Sequence, residues 1–302
     1  MIRRWFLLLV TGALVVAAQP VAAAINVFSC EPEWGALVTE LAGDNVKLYV
    51  ATTAMQDVHH IQAKPSLLAA VRRANLVVCT GAELESGWLP ILMRESGNAN
   101  IQRGQSGYFE VARYASMIDI PTRLDRSEGD VHAMGNPHVH TDPRNIRPIA
   151  AALAKQLATI DPDNAKTYRA RLDDFDLRWR TALAGWERKA APLRGMAVVE
   201  HHRSFSYLFH WSGVKVVGYL EPKPGVEPST GHLASLLERQ KTDPAQLIVR
   251  ASFNDARASQ WLAERAKIPA VVLPFSVGGN VASTDLFTWF DSVIDILLAA
   301  RR

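Results

Sequence analysis

Cysteine is scarce in this chain: Cys30 and Cys79 are the only two in 302 residues. Neither sits in a motif resembling a catalytic thiol, and neither follows a leader closely enough to carry a lipid, because Cys30 comes after Phe28-Ser29. An excess of charge is missing too. The formal net charge is +3, and +1 once Arg3 and Arg4 leave with an N-terminal leader, so nucleic acid is not favoured as a partner. After the leader no apolar run approaches the roughly 20 residues that a membrane span requires.

What is present is an ordinary globular composition, 48% hydrophobic and 21% charged, in a chain long enough for one large or two medium domains. Residues 1–24 read as a secretory signal. Arg3 and Arg4 precede an apolar run from Trp5 to about Ala18, and the small residues Ala22-Ala23-Ala24 precede Ile25. The mature protein is therefore expected in the periplasm, released by cleavage of that leader.

Strand and helix patterns alternate through both halves. Ile25–Ser29, Val46–Ala51 and Leu76–Cys79 read as strands, with helical spacing over Trp34–Ala42 and from Pro65 to about Ala74. Ile118–Thr122 reads as a further short strand. A helix follows from Asn145 to about Ile160, and a second begins after Asp161-Pro162 and continues nearly to Pro192. The second half repeats the alternation, with strands at Ala197–Val199, Lys215–Gly218, Leu247–Val249 and Val271–Leu273. The expected fold is α/β: two flavodoxin-like lobes, each a parallel sheet with helices on both faces, joined by one long connecting helix. The expected divisions are a signal peptide at 1–24, an N-terminal lobe at 25–160, the connecting helix at 161–192 and a C-terminal lobe at 193–302. Charged residues on the connector, Arg169 to Arg180, are expected to face solvent. Cys30 and Cys79 end neighbouring strands in this order, and could either pair in an oxidising compartment or stay as buried thiols.

Histidine carries the chemistry. Asn136-Pro137-His138-Val139-His140-Thr141-Asp142-Pro143 places two imidazoles between two prolines, on a chain segment that proline makes stiff and extended. His59-His60 and His201-His202 form two more pairs, each beside a strand end, where ligands of open α/β sheets bind. Three such loops can converge in the cleft between two lobes. Three imidazoles and one carboxylate make a closed tetrahedral site that suits Zn²⁺ and leaves no position for a reacting water. Glu128, Asp130 and His132, in the polar loop just before the central motif, are weaker ligands of a kind that could hand a cation on.

These motifs resemble those of the metal-specific solute-binding proteins of bacterial ABC importers, the periplasmic zinc and manganese receptors. Asp57-Val58-His59-His60, continuing to Pro65-Ser66, is similar to the family's Asp-Pro-His motif, with Val58 in place of proline. The Asn136–Pro143 segment resembles Asn-Pro-His-x-Trp-x-Asp-Pro, with His140 where tryptophan is common. Val198 to Tyr207 resembles Tyr-His-x-x-Phe/Trp-x-Tyr and puts the ligand at His202. The resemblance implies His59, His138 and His202 as metal ligands, with zinc favoured because the third is histidine and not a carboxylate. It also implies supporting roles for His60, His140 and His201. The family's acid normally follows the last strand directly, but that place reads Leu273-Pro274-Phe275-Ser276-Val277-Gly278-Gly279. Asp285 is therefore the expected fourth ligand, with Glu227 as the rival.

The expected function is an extracytoplasmic Zn²⁺ receptor that is no enzyme. It is expected to act as a monomer that hands its ion to the membrane permease of a zinc ABC importer, with a metallochaperone as a further partner. A manganese or iron receptor of the same family is the alternative. An exported zinc hydrolase using Glu200 as general base is the reading from another class. A rigid connector further implies little lobe movement on metal binding.

Overall fold

Residues 24–123 and 129–301 are described by a computed structural model. The expected leader up to Ala23, and Glu128 of the loop before the central motif, lie outside the described residues. In the first half β1 (Ile25–Ser29), β2 (Val46–Val50), β3 (Leu76–Cys79) and β4 (Tyr108–Glu110) form a sheet in the order β2-β1-β3-β4. The second half repeats it with β5 (Ala197–Glu200), β6 (Lys215–Tyr219), β7 (Leu247–Ala251) and β8 (Ala270–Leu273), ordered β6-β5-β7-β8. Every pairing is parallel. The central strand β3 is buried at all four positions, as a strand covered on both faces must be.

The helices are α1 (Pro32–Ala42), α2 (Pro65–Arg73), α3 (Leu89–Ser96), α4 (Pro143–Ile160), α5 (Ala165–Ala190), α6 (Ser206–Ser212), α7 (Thr230–Arg239), α8 (Ala256–Ala266) and α9 (Leu286–Ala300). The first four carry proline in their first turn, where its missing N–H costs nothing and its fixed φ favours the helix. Both faces of each sheet are covered. Phe28, Val77 and Leu92 pack on one side of the first sheet, and Val199, Ile248 and Leu262 on one side of the second. The inner faces share a single core that runs from Trp34 and Val78 through Ile146, Phe175 and Trp179 to Val198, Phe205 and Phe290.

The long helix α5 is the spine of that shared core. Its 26 residues span about 39 Å at the α-helical rise. Tyr168, Phe175, Trp179, Trp186 and Ala190 are buried along one stripe, while Arg169, Asp173 and Arg180 face solvent as expected. The exposed face is not idle: Arg171 donates to the Glu40 and Thr39 carbonyls of α1, and Arg178 pairs with Glu40.

One expectation needs correction. Ile118–Thr122 forms no strand; the fourth strand of the first sheet is Tyr108–Glu110. Asp119 has a positive φ of 53° and Pro121 lacks an N–H, so a regular ladder cannot form there. The Ile118 backbone is committed elsewhere: its N–H donates to the Tyr207 hydroxyl and its carbonyl accepts from Asn136 N–H. Helix α3 occupies a stretch for which no element is expected. The connector starts only after a 3-10 turn over Pro162–Asn164 and gives way to another over Ala191–Leu193.

The open question about the cysteines resolves as a bridge. The parallel register sets Ser29 opposite Val78, so the residues next in line, Cys30 and Cys79, meet with Cα atoms 4.8 Å apart and form a disulfide.

Candidate metal centre

Each cluster histidine is fixed by its own local turn, two of them in loops that follow strands β2 and β5. His59 lies in the 3-10 turn Val58–His60 beyond β2, capped by Asp57, whose Oδ1 accepts from the His59 backbone N–H at 3.0 Å. His202 follows β5 directly. His138 sits in the stiff Asn136–Pro143 segment. There Asn136 Oδ1 accepts from His138 N–H at 3.0 Å, Asn136 Nδ2 donates to the Arg203 carbonyl, and Tyr207 donates its hydroxyl proton to the Asn136 carbonyl. The second lobe thus holds in place the loop that carries His138.

The three imidazoles converge. Ring centroids of all three pairs, His59–His138, His59–His202 and His138–His202, are 5.6 Å apart and the rings stand edge to face. One nitrogen from each lies within 4.8 Å of the others, a spacing that can hold one metal ion. Their surroundings set the reactive nitrogen. Asp57 Oδ1 takes His59 Nδ1–H at 2.8 Å, and Glu221 Oε2 takes His202 Nδ1–H at 2.7 Å. A neutral imidazole has one N–H, so Nε2 of each ring carries the lone pair. His138 is buried with both ring nitrogens unpartnered among the described residues, a costly arrangement unless something such as a cation satisfies one of them.

Electrostatics point the same way. Burial, reinforced by His202 and His59, pushes the His138 imidazole well below its usual range and keeps it unprotonated. Burial alone would raise Asp57, but hydrogen bonds from the ring and the backbone N–H of His59 hold its carboxyl below the usual range. The carboxylate therefore stays ionised and keeps His59 in its ligand tautomer.

The other histidines divide. His140 is buried between lobes: Nδ1 stands 3.3 Å from Glu33 Oε1, Nε2 donates to the Phe275 carbonyl at 3.0 Å, and the ring packs on Trp34, Phe275 and Trp289. His201 is buried 3.8 Å from Glu221, and His60 is exposed. His132, intermediate in exposure, places its Nε2 3.3 Å from His59 Nε2. The cluster opens on a cavity of about 550 Å³ whose walls include His132, His138, His202, Asp119 and Arg203.

Asp285 does not join the cluster. It is the N-cap of α9, where its Oδ1 accepts from Thr288 N–H at 2.8 Å in a capping box, and it lines a different cleft with Pro32, Gly35 and Thr39. The sequence Asp285-Leu286-Phe287-Thr288 is itself a helix-start pattern, and that local chemistry prevails. Glu227 is exposed and also outside the group. Glu200 is fully buried, with Oε1 accepting from Phe205 N–H at 2.6 Å, which leaves it no part in the cavity. Where the family's acid was expected, Phe275 lays its ring edge-on against His138 at 5.4 Å and Ser276 donates to Glu33.

A family model described as "Zinc-uptake complex component A periplasmic" matches residues 27–300. The chain belongs to that family. Its members are the solute-binding receptors of metal ABC importers. Among relatives of this family, the high-affinity zinc uptake system protein ZnuA of Bacillus subtilis is 25% identical over 240 residues, covering 71% of this chain and 67% of its own. The manganese ABC transporter substrate-binding lipoprotein PsaA of Streptococcus pneumoniae is 22% identical over 239 residues, covering 77% and 74%. A crystal structure of ZnuA superposes with a TM-score of 0.77 at 22% identity, covering 92% of this chain and all of that one. The two-lobed fold joined by a long helix is thus the family fold, and a divalent metal is the family's ligand.

Two contributors to the centre carry no local signal in the sequence. Glu221 lies 19 residues beyond His202, and only the parallel β5–β6 pairing, which continues as Glu221 N–H to the His201 carbonyl, brings it alongside. Phe275 stands in the segment after the last strand where an acid is expected; no spacing rule distinguishes a ring that seals a metal ligand from one that fills a lobe.

Proposed function

We propose that the protein is an extracytoplasmic receptor that captures Zn²⁺ at His59, His138 and His202 between its lobes and delivers it to the membrane permease of an ABC importer. The observation that carries this is the convergence of three imidazoles from three distant loops, two of them turned by carboxylates and the third buried without a partner. Neutral imidazole donors suit Zn²⁺ better than the harder Mn²⁺, and affinity for such a site rises from manganese through iron to zinc apart from copper. Relatives named for manganese make a manganese receptor the competing reading.

Metal analysis of the purified protein is expected to find about one Zn²⁺ per chain, lost in His138→Ala. Competition between Zn²⁺ and Mn²⁺ separates the two receptor readings: a preference for manganese would transfer the assignment. Absence of any bound divalent metal, with His138→Ala indistinguishable from the parent, would remove both. A zinc hydrolase is disfavoured by the burial of Glu200 away from the cluster, which leaves the candidate base without access to a substrate.

A further inference from the structure

Resting on the three-histidine reading, we infer that His132 is the fourth ligand of the ion, taking the place filled by a carboxylate in the expected motif. Three independent observations converge on it. No carboxylate oxygen among the described residues joins the three imidazoles within the 4.8 Å spacing that groups them, nor does His132 reach all three, and the loop after β8 offers Phe275 and Ser276 in place of an acid. His132 Nε2 already stands 3.3 Å from His59 Nε2. Four nitrogens at ordinary Zn–N length around a tetrahedron lie about 3.3 Å apart, so this pair is at the separation of two ligands of one ion. His59 Nε2 carries the lone pair, since its Nδ1–H is given to Asp57.

The third observation is how the loop is held. Ala133 N–H donates to Glu83 Oε2 at 2.7 Å, and the Ala82 backbone is a hydrogen-bond partner of the His132 ring. Ala82 and Glu83 both adopt positive φ, 48° and 68°, a conformation unfavourable for residues other than glycine. Consecutive strain of this kind persists where the surroundings impose it, and functional sites are where it concentrates. On the other side Asp130 N–H donates to the Pro224 carbonyl, and a side chain at Gly129 would strike that same carbonyl. The segment from Gly129 to Gly135 is therefore pinned to the first lobe at Glu83 and to the second at Pro224, with His132 between them over the mouth of the cluster. His132 contacts His59 but stands outside the 4.8 Å group, so sharing the ion requires it to shift toward His138 and His202 and close the site from the solvent side.

The site then presents four imidazoles and no fixed carboxylate. Such an all-nitrogen shell keeps the +2 charge of the ion unneutralised, except through Asp57 and Glu221 behind His59 and His202, and discriminates further against manganese, which prefers oxygen.

The test compares His132→Ala, His132→Asp and His138→Ala as full-length mature protein. Chelator competition gives zinc affinity, and X-ray absorption gives the number of imidazoles around the bound ion. His132→Ala is expected to bind one Zn²⁺ about 100-fold more weakly, the share of one ligand in a typical four-ligand zinc site, with three imidazoles counted in place of four. His132→Asp is expected to recover most of the affinity with three imidazoles and one added oxygen. If His132→Ala keeps both the affinity and the imidazole count of the parent, while His138→Ala loses the metal, the inference about His132 is overturned and the three-histidine site stands. Should His138→Ala retain its metal, the underlying site itself is wrong.

Discussion

Asp57 Oδ1 binds His59 twice, through the backbone N–H at 3.0 Å and through ring Nδ1–H at 2.8 Å, so a single carboxylate sets both the turn and the tautomer of a metal ligand. Glu221 does the same for the ring of His202 at 2.7 Å. Carboxylates behind ligating histidines typically contribute 10- to 100-fold in metal affinity. Asp57→Asn and Glu221→Gln are each expected to weaken zinc binding by about that factor while the circular dichroism spectrum is unchanged. Isothermal titration with a competing chelator measures it. An affinity within twofold of the parent would show that the histidines orient themselves without these carboxylates.

The Cys30–Cys79 bridge closes a segment of 49 residues between adjacent strands. Constraining a loop of that length in the unfolded chain is worth about 4 kcal/mol in the chain-entropy model. The double variant Cys30→Ser/Cys79→Ser is expected to unfold at markedly lower urea concentration, with the midpoint followed by tryptophan fluorescence. A midpoint within error of the parent would mean that the packed ends of β1 and β3 hold the first sheet unaided.

Much of this architecture was legible because it follows from short-range rules. Largely apolar runs of three to six residues ended by polar loops mark seven of the eight strands, and proline at helix starts marks α2 and α5 within a few residues. The fourth strand escapes because Tyr108–Glu110 ends in a charged residue and forms no apolar run, whereas Ile118–Thr122 has the composition of a strand but spends its backbone on Tyr207 and Asn136. The centre divides along the same line. His59 and His202 announce themselves by their position after strands, and His138 by the prolines around it. The fourth position depends on which loop crosses the cleft, a tertiary matter, and Asp285, close to the expected place in the chain, has a sequence context that specifies a helix cap.

A core that is shared by both lobes bears on motion. Trp34, Ile146, Phe175, Trp179, Phe205 and Phe290 belong to one continuous apolar cluster, and His140 adds a buried polar link from Glu33 to the Phe275 carbonyl. Opening the lobes as rigid halves would expose that surface at about 25 cal/mol per Å². Small-angle scattering of metal-free and zinc-loaded protein is expected to give superimposable curves, with differences confined to hydrogen exchange of the Gly129–Gly135 segment. A clear fall in radius of gyration on loading would contradict a fixed interlobe core.

Glu31 and Glu85, buried beside the disulfide, make stability depend on pH in an unusual direction. Burial raises the Glu85 carboxyl to about 7, and burial together with the charges of Glu85 and Glu33 raises Glu31 well above the ordinary carboxylate range. Between about 4.5 and 7 the folded protein therefore holds protons that the unfolded chain has released, so this pair's contribution to stability falls as pH rises through that window. For Glu85 alone the effect is at most roughly 3 kcal/mol. The histidines act oppositely: burial lowers His132 to about 4, so folding is favoured as pH rises from there toward the ordinary histidine value. Comparing Glu85→Gln with the parent in the metal-free state isolates the carboxyl, because the histidine contribution is common to both. The variant is expected to gain stability relative to the parent as pH goes from 5 to 8, read from urea midpoints. A difference that stays constant across this range would show that Glu85 ionises no later in the folded protein than in the unfolded chain.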